Sequence, residues 1–160
     1  DQNAFALQDE HFPTMVDVVP VYVPPDGFCL YHSTSMVLSG TIDLSTEVRF
    51  NGALALILEH KKIEHESKIK GFYEDDNVLF EEIINTTTGL KDASLYSVLG
   101  VAYGCQATLY LHCPKENGPE DAQHSLYGGK FPMIEDANIL SSKVVPVSSS
   151  FDCFQFCHDK

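Results

Sequence analysis

Two prolines and an Asp-Gly pair, Pro24-Pro25-Asp26-Gly27, stand directly before a helical run, and no other junction constrains the fold as tightly. Each proline fixes its own φ and disfavours helix in the residue before it, so the chain must arrive extended. The Asp-Gly pair then supplies a sharp turn, since Gly27 takes positive φ at no steric cost. Residues 29–38, Cys-Leu-Tyr-His-Ser-Thr-Ser-Met-Val-Leu, read as a helix closed by Gly40. Cys29 therefore falls at a helix start, among unpaired backbone N–H groups and the positive end of the dipole. Both favour thiolate over thiol, and the same N–H groups can stabilise an oxyanion beside the sulfur. Cys29 is thus a candidate nucleophile. The bland alternative is a buried core thiol on an ordinary helix.

The words of this stretch carry a resemblance. Asp26-Gly27-Phe28-Cys29-Leu30-Tyr31-His32-Ser33 resembles the nucleophile motif of the OTU (ovarian tumour) cysteine proteases, Asp-Gly-x-Cys-Leu/Phe-Phe/Tyr-Arg/His-Ala/Ser. The His-Ser wording is similar to the viral members. Phe28 stands where Asn or Asp is commonest. The resemblance implies an α+β, papain-related fold with a small mixed sheet packed between helices. It implies isopeptide hydrolysis by a thiol on ubiquitin or ubiquitin-like conjugates, with no cofactor. Cys29 would attack, Asp26 would belong to the site, and the turn at Gly27 and Phe28, with the Cys29 N–H, would receive the oxyanion.

A thiol protease also needs a base, usually a histidine held by a third polar group. In OTU enzymes that histidine opens the last strand, followed by an aromatic and an acid or amide. The matching residues here are Ser150-Phe151-Asp152. Asp152 would orient the ring, but the histidine position holds serine, which has no basic nitrogen. Three explanations stay open. The chain is a catalytically inactive relative that binds ubiquitin or another protein; another histidine supplies the base, with His158 nearest in sequence and His124 a weaker candidate; or the register belongs to another papain-like arrangement. His32 reads as a packing residue of the first helix.

A chain of 160 residues suits one domain spanning 1–160, with residues 1–15 a loosely attached arm. A net charge of -13 repels phosphate backbones, so nucleic acid is not an expected partner. It is compatible with a basic protein partner, and equally with plain solubility. The longest apolar stretch, residues 53–58, is far too short to span a bilayer, and no signal peptide is visible. Five cysteines, an odd number, fit a reducing intracellular compartment, the host cytoplasm if the chain is viral. Cys153, Cys157 and His158 could ligate a metal with Cys105 or Cys113, but no paired Cys-x-x-Cys spacing exists, so no metal is expected.

Other elements read as follows. Residues 16–23 are extended. Ser45 or Thr46 caps a long helix that turns Val48, Leu54, Ile57, Leu58 and Ile63 inward. His60 and His65 lie on its charged, solvated face. A short helix covers 77–84 and ends at Gly89. Asp92 caps another over 93–103, and a strand follows over 107–112. A polar loop spans 115–129, and two strands, 143–147 and 151–156, close the chain.

Overall fold

The computed structural model describes residues 22–24, 26–89, 91–112, 129–132 and 144–148. Five helices and three short strands form among them: α1 (Cys29–Ser39), α2 (Ser45–Leu58), α3 (His60–Lys70), α4 (Asp76–Thr88), α5 (Leu95–Gly104), β1 (Thr108–His112), β2 (Gly129–Phe131) and β3 (Val144–Ser148). No helix among the described residues is long and apolar enough to cross a membrane. The expected arm at 1–15, most of the extended segment at 16–23, nearly all of the 115–129 loop and the strand at 151–156 lie outside the described residues.

Local chemistry sets the helix ends. The Asp75 carboxylate accepts the N–H groups of Asn77 and Val78 and so starts α4. At α5 the same work is done by Ser94, which accepts from Tyr96 and Ser97, and not by Asp92 as expected. Helix α4 continues past residue 84 to Thr88, with the Thr87 and Thr88 hydroxyls donating back to the carbonyls of Ile83 and Ile84 and Gly89 capping the end at φ 69°. The single long helix expected after Ser45 is two helices. Glu59, at φ -105° and ψ 19°, leaves helical geometry and separates α2 from α3. Ser45 is the first residue of α2, not its cap, which is Leu44 and offers no side-chain acceptor.

The α+β expectation, with a small mixed sheet packed between helices in an OTU-like, papain-related fold, is overturned. The described residues are dominated by the five helices, and helix packs directly on helix. Leu56, Ile63, Val98, Leu99, Val101 and Ala102 are fully buried in one cluster, to which the strands add Leu109 and Phe131. The three strands form a short ladder in the order β2-β1-β3. Leu109 stands opposite Phe131 in the antiparallel pair and opposite Val145 in the parallel pair.

Small residues explain why α2 and α5 need no intervening layer. A Cβ on Gly100 would stand 2.8 Å from the Gly52 carbonyl oxygen, and one on Gly104 would fall on the Asn51 carbonyl. The face of α2 that turns inward is therefore the one carrying Val48, Gly52, Ala55 and Leu56, which fits that close approach. This corrects the expected face: Leu54, Ile57 and Leu58 are 52%, 52% and 68% exposed.

Candidate active site

The turn before α1 is held at several points. Gly27 adopts φ 81°, and a Cβ there would fall on the Asp92 carboxyl, so both backbone and space require glycine. The Asp26 carboxylate accepts the Phe28 N–H at 2.9 Å, two residues on, closing an Asx turn. Phe28 caps the helix through its backbone, and its carbonyl accepts the His32 N–H at 2.9 Å. Cys29 follows as the first residue of α1, half-buried. Cys29 thus stands in the first turn of a helix, whose N–H groups have no partner within the helix.

His32 is the centre of the arrangement. Its Nε2 lies 3.0 Å from Asp26 Oδ2, and its Nδ1 lies 2.7 Å from Ser45 Oγ. The Ser45 hydroxyl also lies 2.5 Å from the Ile42 carbonyl. One hydroxyl has one hydrogen, so two patterns fit. With a neutral ring, Nε2–H donates to Asp26 and Nδ1 accepts from Ser45. With an imidazolium, both nitrogens donate and the Ser45 hydrogen goes to Ile42. In either pattern the imidazole ties the nucleophile turn to the first turn of α2. Partial burial pushes the Asp26 carboxyl up, but the hydrogen bonds from His32 and the Phe28 N–H outweigh it and hold the group below its ordinary value.

Behind Cys29, Phe28 packs its ring 6.0 Å from that of Tyr31 and 6.3 Å from that of His32. The Arg49 guanidinium lies 5.1 Å from the Phe28 ring centre. Tyr31 reaches a buried polar cluster beneath α1. There Ser97 Oγ donates to Glu82 Oε1 at 2.5 Å, and Thr86 Oγ1 lies 3.4 Å from the same oxygen and 3.3 Å from Ser97 Oγ. Burial pushes the Tyr31 hydroxyl up, with hydrogen bonds from Ser97 and Thr86 opposing it. These contacts fix α1 against α4 and α5.

Of the residues singled out in the sequence, Asp26, Gly27, Phe28 and Cys29 come together as one turn. Ser150, Asp152, His158 and His124 lie outside the described residues. His60 and His65 are exposed on α3. His32, expected only to pack, instead bonds Asp26 and Ser45, and Ser45, expected to cap α2, instead meets the His32 ring. The Asp26–His32 spacing of six residues across a turn was a usable signal; the link to Ser45, thirteen residues on, was not. Neither any family model nor any curated protein matches this chain.

Proposed function

We propose that this chain is a cysteine protease domain acting on ubiquitin or ubiquitin-like conjugates, with Cys29 as nucleophile. The observation that carries the reading is the placement of Cys29 at the first position of α1, behind a turn braced by Asp26, Gly27 and His32. The Cys29 thiolate would attack the carbonyl carbon of the modifier's terminal glycine. The S–C bond forms and the C–N bond to the target lysine breaks as a base returns the proton to the leaving amine. Water then hydrolyses the thioester and restores the thiol. The Cys29 N–H and the backbone at Gly27 would receive the oxyanion in both steps; the Phe28 N–H, expected to share that role, is given to the Asp26 carboxylate. By the motif resemblance the base is a histidine held by Asp152, with His158 the nearest candidate. Such a thiol works in a reducing, intracellular setting, and the odd number of cysteines supports that compartment.

A second reading, a non-enzymatic module that binds ubiquitin or another protein, is favoured by two observations. Serine stands at position 150, and both nitrogens of His32 are already engaged. Hydrolysis of a fluorogenic ubiquitin C-terminal amide separates the readings. Turnover that vanishes in Cys29→Ala supports the protease. Binding in calorimetry without turnover replaces it with the module, and the absence of both overturns the ubiquitin assignment altogether.

A further inference from the structure

Helix α2 carries two stripes of the same spacing on opposite sides. Val48, Gly52, Ala55 and Leu56 turn inward. Phe50, Leu54, Ile57 and Leu58 repeat that spacing two residues on and face outward, 47%, 52%, 52% and 68% exposed. The other exposed residues of α2 are Thr46, Glu47 and Asn51, so Glu47 is the only charge on the outward face. A helix that is apolar on both sides belongs in an interior, and an exposed apolar stripe of this kind marks an interface.

The ends of the stripe carry opposite charges. Glu47 is exposed in the first turn of α2, and Lys61, 79% exposed, follows three residues past its end, in the first turn of α3. Each lies seven residues from Leu54. Lys61 approaches Glu64 of its own helix at 3.6 Å, a solvated contact that leaves its ammonium able to take a second acceptor. We propose that the outward face of α2 docks on the same face of a second copy of this chain, antiparallel and centred on Leu54. A two-fold axis there sets Leu54 against itself, Phe50 against the partner's Leu58 and Glu47 against the partner's Lys61. An order of acid, apolar stripe and base is self-complementary, which is what a two-fold interface between identical surfaces requires. A partner that is basic throughout would instead bring like charge to Lys61, and a net charge of -13 opposes an anionic membrane. The repulsion between two acidic copies is screened beyond roughly 8 Å at about 0.15 M salt. The inference goes beyond the protease reading and does not rest on it.

Sedimentation velocity of the intact protein over a concentration series at that salt tests the pairing. The expected result is a reversible monomer–dimer equilibrium. Leu54→Asp sets two carboxylates together on the axis and should abolish the dimer, with circular dichroism unchanged because Leu54 lies outside the core. Glu47→Lys and Lys61→Glu each create two like-charge pairs across the interface and should weaken the dimer about tenfold, or ~1.4 kcal/mol. Combining the two restores opposite charges and should recover most of the loss. A monomer at every concentration overturns the proposal. So does a dimer that survives Leu54→Asp, or a double charge variant no stronger than the single ones. Should Leu54→Asp fail to fold, the charge variants and their combination decide alone. None of these readouts involves Cys29 or turnover, so failure here is separate from failure of the protease reading.

Discussion

Gly100→Ala tests the direct contact of α2 with α5. Within a helix interior, alanine is favoured over glycine by about 1 kcal/mol, so propensity alone predicts stabilisation. The structure predicts the opposite sign. The new Cβ would stand 2.8 Å from the Gly52 carbonyl oxygen and 2.9 Å from Leu56 Cγ. A carbonyl in a facing helix cannot rotate away, so the helices must separate. Overpacking of this kind costs roughly 1–3 kcal/mol, and the backbone obstacle places it near the upper end. Subtracting the propensity gain leaves a net loss of about 1–2 kcal/mol. For a chain of this size that lowers the melting temperature by roughly 2–8 °C. Urea unfolding monitored by far-ultraviolet circular dichroism reads the loss directly, as a lower midpoint at unchanged slope. Gly40→Ala is the comparison: nothing lies within 4 Å of its Cβ, and only the φ of 78° opposes the change. A neutral or stabilised Gly100→Ala would refute the close approach and with it the helix-on-helix core.

Three further outcomes follow from the site. Asp26, held below its ordinary value of 3.8 by His32 and the Phe28 N–H after burial is offset, contributes stability that is fully present above that value. That contribution is lost as pH falls through the lowered pKa, so Asp26→Asn should flatten the acid limb of a stability–pH profile; an unchanged limb contradicts the linkage. Ser97→Ala removes a hydroxyl donor from buried Glu82 and should destabilise the fold by roughly 1–3 kcal/mol in urea titration, whereas a loss near zero would mean that the cluster is not dry. Burial pushes the Cys105 thiol up to about 11, so iodoacetamide near neutral pH should modify Cys29 well before Cys105 in peptide mass mapping. Equal rates would contradict the distinction.

Where residues act on near neighbours, the sequence was readable. The run from Cys29 ends at Gly40, and the helix before Gly89 ends there, because glycine takes the positive φ of a left-handed cap at no steric cost. The strand from Thr108 was announced by its β-branched and aromatic residues. Two features were not readable for definite reasons. The break at Glu59 has no proline or glycine to mark it. The inward face of α2 is chosen by what fits against Gly100, so bulky Leu54, Ile57 and Leu58 lose to Gly52 and Ala55, and counting apolar side chains points the wrong way. The sheet-centred fold class came from the motif resemblance, and a resemblance of eight residues at one turn does not carry the packing of the rest. Within the site, the Asp26-to-Cys29 turn was legible as local chemistry, while the His32–Ser45 link depends on how α1 meets α2.

The central claim is that Cys29 is an activated nucleophile with access to a modifier's C-terminal tail. Its most direct measurement is the reaction of the intact protein with ubiquitin carrying a C-terminal electrophile, read by intact mass beside Cys29→Ala. The account predicts a single covalent adduct of protein plus ubiquitin that is absent from the alanine variant. No adduct in the unaltered protein, or an adduct that persists without Cys29, would contradict it.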